Sequence, residues 1–133
     1  MEGRGAKLDL VSQMRDRASE LLRGYHEGQI QAPDEALDIA LGLPEQSWTR
    51  SAKDHPRLQS EHPGESVVNV ATPYDACRRL FDVVSPGSKD RVYDLGCGSG
   101  RVLLYGALLT EAQFVGVEIV ESRASEARAA VAT

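Results

Sequence analysis

One stretch limits this chain more than any other: Asp94-Leu95-Gly96-Cys97-Gly98-Ser99-Gly100. It sits where a strand hands over to a helix. Before it, Arg91-Val92-Tyr93-Asp94-Leu95 reads as a short strand; after it, a helix is expected through Leu109. Glycines are wanted at such a junction because the chain turns sharply and the backbone must let a ligand approach closely. The helix that follows presents unpaired N–H groups to whatever lies in the turn. A second strand, Gln113 to Glu118, comes next, and a last helix is expected from about Ser122. From Arg91 onward the order is therefore β-α-β-α, the sign of an α/β fold with a parallel sheet covered by helices. The two strands should be adjacent, parallel and joined by a right-handed helical crossover.

The residues upstream have a different character. Leu10, Val11, Met14, Ala18, Leu21, Leu22 and Tyr25 recur at helical spacing and predict a helix from about Ala6 to Tyr25. A shorter helix is expected to open at Pro33, with Asp34 and Glu35 suiting the positive end of its dipole, and to end at Gly42. Leu37, Ala40 and Leu41 give it one apolar face. These two helices read as a lead-in or cap that packs on the core. Leu43 to Val70 is a long polar connection holding Trp48, the only tryptophan, with Val67, Val68 and Val70 as a short extended piece at its end. Thr72 then suits a helix cap, Pro73 its first turn, and Ala76, Leu80, Phe81 and Val84 its buried face, with Pro86-Gly87 stopping it. The chain thus divides into a helical lead-in and loop, residues 1–70, and a β-α-β-α part, residues 71–133.

A carboxylate joins the glycines. Glu118 stands at the tip of the second strand, where open α/β sheets bind ligands and where an acid can accept ribose hydroxyls. The dinucleotide fingerprint GxGxxG fails here, because its last glycine is replaced by Arg101. A phosphate loop fails too, since no Gly-Lys-Ser/Thr follows. Plainer roles exist: Asp94 tying down the loop backbone, Glu118 as an exposed strand-end acid. The surrounding glycines favour ligand contact. Cys97 lacks a nearby base and reads as packing rather than as a nucleophile. The charged run Glu121 to Arg128 reads as a solvated helix face.

The pattern Asp94-x-Gly96-x-Gly98-x-Gly100 followed by Glu118 resembles motif I and the acidic strand end of class I, Rossmann-type methyltransferases, which use S-adenosylmethionine. The resemblance covers about Thr72 to Ala132. It implies that Asp94 lies near the methionine end of the cofactor and that Gly96, Gly98 and Gly100 wrap its sugar and amino-acid part. It implies that Glu118 holds both ribose hydroxyls and that Ile119 packs on the adenine. A narrower likeness, in Asp94 to Leu104 and in Gly116-Val117-Glu118-Ile119, is similar to the Rossmann-type methyltransferases that modify histone lysine in the nucleosome core. Thr72 and Tyr74 lie where that family places residues that help close the site.

Other functions find less support. The cysteines Cys77 and Cys97 and the histidines His26, His55 and His62 show no metal-ligand spacing, so no metal is expected. A net charge of −5 offers no footprint for nucleic acid. No apolar run is long enough to span a bilayer and no secretory signal opens the chain, so a cytoplasmic protein is expected. The family's fold has seven strands and only two are legible here. The chain is thus expected to be the cofactor-binding front half of a methyltransferase, inactive alone, with acceptor and catalytic base unnamed. The competing reading is a non-catalytic half-Rossmann module that binds a partner chain or a nucleotide. Either way, an open sheet edge is left able to pair with another chain.

Overall fold

The computed structural model describes residues 3–44 and 70–132, with side chains from residue 12 onward. The long connection with Trp48, His55 and His62, and its extended piece at Val67 and Val68, fall outside the described residues. Among those described, five helices and two strands follow in the order α1 (Gly3–His26), α2 (Asp34–Ala40), α3 (Tyr74–Val84), β1 (Arg91–Leu95), α4 (Arg101–Leu109), β2 (Gln113–Val117) and α5 (Glu121–Val131). β1 and β2 pair in parallel, with Arg91 opposite Gln113 and Leu95 opposite Val117, as the β-α-β pattern required.

Two of the helices end at left-handed residues. Gly42, at φ 67°, takes the left-handed turn that closes α2. Ser85 closes α3 in the same left-handed region, at φ 42°, its amide donating to the Phe81 carbonyl. Pro33 and Pro73 each stand one position before their helix, not inside it, and Thr72 makes no side-chain cap of α3.

The core lies on one side of the sheet. Leu22 of α1, Leu37 and Leu41 of α2, Tyr74, Cys77 and Phe81 of α3, and Tyr105 of α4 form a single buried cluster, joined by Ala130 of α5. The Tyr105 ring packs at 5.6 Å from Tyr74 and 5.9 Å from Phe81, and Phe81 meets Phe114 of β2 at 5.9 Å. The lead-in helices therefore share their core with the β-α-β part.

Three faces differ from the sequence reading. In α3 the buried line is Tyr74, Cys77 and Phe81, while Leu80 and Val84 are exposed. The i, i+3, i+7 stripe that starts at Tyr74 wins because its aromatic rings meet Tyr105 and Phe114. Met14 of α1 is exposed at the edge of a broad cavity rather than packed. In α5 Arg123 is buried alongside Ala124, Ala127 and Ala130. The run there carries charge at positions 121, 123, 126 and 128, but a helix turns every 3.6 residues, so one cation falls on the inner face.

Candidate functional site at the glycine turn

The turn leaves β1 and enters α4 through three left-handed glycines: Gly96 at φ 86°, Gly98 at φ 57° and Gly100 at φ 95°. Side chains resist this region, so glycine is required at each of the three. The Gly96 and Cys97 amides donate to the Val117 carbonyl at 2.7 and 3.1 Å, which pins the turn to the end of β2. A Cβ on Gly96 would meet nothing within 4 Å, so open space lies over that residue. Gly100 is different: it is buried at the start of α4, where a Cβ would lie 3.4 Å from Ala127. It serves the turn and the packing of α4 on α5.

Glu118 stands immediately past β2 and holds the turn. One carboxylate oxygen accepts the Gly98 amide at 2.9 Å and the other the Val120 amide at 2.8 Å. Asp94 is half-buried on the inner side of β1. Burial, and then the charge of Glu118, raise its pKa above the ordinary carboxylate value. Ile119, beside Glu118, is exposed. Val70, Thr72, Asp94, Gly96, Gly98, Ser99 and Arg101 surround a narrow cleft of about 50 Å³ at the carboxyl end of β1. A far larger cavity, about 750 Å³, lies between α1, α4, α5 and β2. Leu103, Leu108, Phe114 and Ala127 line it, so it is chiefly an apolar gap between helices beside the sheet. Open α/β sheets take ligands at the carboxyl ends of their strands: the narrow cleft sits at that end of β1, and the larger cavity reaches Val117 and Glu118 at that end of β2.

The structure thus gathers Asp94, Gly96, Gly98 and Thr72 around one cleft, with Glu118 bonded to its wall. Tyr74 is not part of it. Its side chain is fully buried and its hydroxyl donates to Asp38 at 2.8 Å. Burial and then Asp38 push that hydroxyl's pKa far above the ordinary value. Cys97 titrates above an ordinary thiol, through burial and then the charges of Asp94 and Glu118, which agrees with packing rather than nucleophilic work. Among the described residues no group of His, Cys, Asp and Glu is arranged to hold a metal ion. Nor is any helix there long and apolar enough to cross a membrane.

A protein-lysine N-methyltransferase of Saccharolobus islandicus (strain REY15A) is 41% identical to the chain over 61 residues. The match takes in 45% of this chain and 38% of that protein, so it spans well under half the length of the relative. No family profile matches the chain, and no solved structure matches it.

One group of residues at the cleft escaped the sequence reading. Arg101, in the first turn of α4, is 6% exposed and turns away from the glycines toward α2. Its Nε and Nη2 donate to the two oxygens of Asp38 at 2.9 and 2.5 Å. Nη1 reaches Asp34 at 3.3 Å and the Thr72 carbonyl at 3.1 Å. Burial, the largest single influence, opposes the charge, but the hydrogen bond to Asp38 and the charges of Asp38, Tyr74 and Asp34 together outweigh it and raise the Arg101 pKa. The available signal was a lone cation opening an otherwise apolar helix, Arg101-Val-Leu-Leu-Tyr-Gly-Ala-Leu-Leu, which must find an acid when buried.

Proposed function

We propose that residues 71–133 form the cofactor-binding part of a class I, Rossmann-type methyltransferase, with residues 1–70 as its helical lead-in, and that the cleft takes S-adenosylmethionine. The observation that carries this reading is electrostatic. Two carboxylates, Asp94 and Glu118, flank a glycine turn whose neighbouring cation, Arg101, is already paired with Asp38 and Asp34. A pyrophosphate needs positive charge or free helix amides, and here the Gly98 amide is taken and the arginine faces away. A cationic ligand without phosphate suits two carboxylates that have no side-chain cation paired with them among the described residues.

The residues fit the cofactor in kind. Open space over Gly96 admits close approach to the backbone, Glu118 can turn its carboxylate to the ribose hydroxyls, and exposed Ile119 offers an apolar surface to the adenine. When bound, the cofactor supplies a methyl group on a sulfonium. The chain's own part is to hold that methyl in line with an acceptor, where much of the rate of such a transfer arises. We take the acceptor to be a protein lysine amine, which the printed name of the relative supports.

The test is calorimetric titration of the chain with S-adenosylmethionine and, separately, with NAD. Saturable binding of the first with no heat from the second is expected. Binding of NAD alone would overturn the reading and favour a nucleotide-binding module without methyl transfer.

A further inference from the structure

The Asp38–Arg101 pair carries an inference that rests on the cofactor reading above. Both side chains are nearly closed to solvent, at 8% and 7% exposed. The pair joins three segments far apart in the chain: α2 through Asp38 and Asp34, the turn before α3 through the Thr72 carbonyl, and the first turn of α4 through Arg101 itself. Tyr74 locks it from above, with its hydroxyl on Asp38, its amide 3.4 Å from Asp34, and its ring 4.8 Å from the guanidinium. Thr72 and Arg101 both border the narrow cleft with Asp94 and Gly96.

We propose that Asp38 and Arg101 are positioning residues for the cleft, holding the Thr72 turn at a fixed distance from the glycine turn. A bidentate guanidinium–carboxylate pair has a fixed planar geometry and does not slide as a point charge does. A shift of α2 therefore passes to the Thr72 carbonyl and to the start of α4, and so to the cleft wall. A buried ion pair adds little net stability over apolar packing, so its contribution here is geometry. Helix α2, well outside the glycine turn in sequence, thereby belongs to the site. The pair acts at the Asp94 end of the cleft and leaves the Glu118 and Ile119 end alone.

The test compares the wild-type chain with Asp38→Asn and Arg101→Lys by amide hydrogen exchange and by affinity for S-adenosylmethionine and for adenosine. Helix content by circular dichroism controls for folding. Exchange at Thr72–Tyr74 and Gly96–Val102 should rise about ten-fold in both variants, with the β1–β2 amides unchanged. Affinity for S-adenosylmethionine should fall about ten-fold while adenosine, which needs only the Glu118 end, binds as before. Unchanged exchange at both segments, or equal losses for the two ligands, would overturn the proposal. If the wild-type chain binds neither ligand, the cofactor reading falls and the exchange experiment alone decides the clamp. Should Asp38→Asn fail to fold, Arg101→Lys, which keeps the charge but not the fork, carries the same readouts.

Discussion

At the scale of single residues, Asp94 and Glu118 make opposite demands. Burial and Glu118 raise the Asp94 pKa, so the folded chain binds that proton more tightly than the unfolded chain does. The ionised acid is therefore a cost to folding at neutral pH, and the cost vanishes as pH falls below the ordinary carboxylate range. Asp94→Asn should raise the melting temperature at pH 7, with the gain shrinking toward pH 3, while cofactor affinity drops. Thermal melts across that range check the sign; a variant less stable at pH 7 would contradict it. Glu118→Ala should weaken S-adenosylmethionine binding by roughly 1.5–3 kcal/mol, the usual worth of hydrogen bonds to a charged group. That is about ten- to a hundred-fold in affinity. Folding is affected as well. Alanine strips acceptors from the Gly98 and Val120 amides, so a loss of about 1–3 kcal/mol in stability should accompany it. Glu118→Gln, which keeps one acceptor oxygen, should recover part of each effect in denaturant and binding titrations.

At the scale of elements, packing between α4 and β2 sets the tightest limits. A Cβ on Gly106 would collide with Phe114 and Phe81, and one on Gly116 with Leu103 and Cys97. Gly106→Ala should destabilise the chain by about 1–3 kcal/mol through overpacking, even though alanine favours a helix by about 1 kcal/mol. Urea unfolding reads this directly; a stabilised variant would show that the rings yield. The β-α-β part was legible because its signals are local: period-two strands, glycines that demand left-handed backbone, an acid at a strand tip. The buried face of α3 was not, because Leu80 and Val84 are as apolar as the aromatics, and only the position of Tyr105 chooses between stripes. Arg101 was hidden for a related reason. Its partners Asp34 and Asp38 lie far upstream on α2, where Asp34 was read only as an acid suited to the helix dipole. Gly100 carries the glycine signal and also packs at the helix junction against Ala127, which the motif does not reveal.

At the scale of the molecule, the described residues cover the two-stranded sheet on one side only. Tyr93, Leu95, Val115 and Val117 share the other face and are exposed. Parallel sheets are normally buried on both faces. The ligand-free chain should therefore self-associate as its concentration rises, and Leu95→Lys with Val117→Lys should reduce this in sedimentation runs; a wild-type chain that stays monomeric throughout would contradict it. That bare face is also what the alternative reading, a partner-binding module, draws on, but it leaves the Asp94 and Glu118 pair without a purpose. The cofactor assignment is tested most directly by recording the amide spectrum of the labelled chain during titration with S-adenosylmethionine. The account predicts that the Gly96, Gly98 and Val120 resonances move together to saturation as Glu118 engages the ribose, and that NAD leaves them in place. Resonances that stay fixed with S-adenosylmethionine, or that move only with NAD, would contradict it.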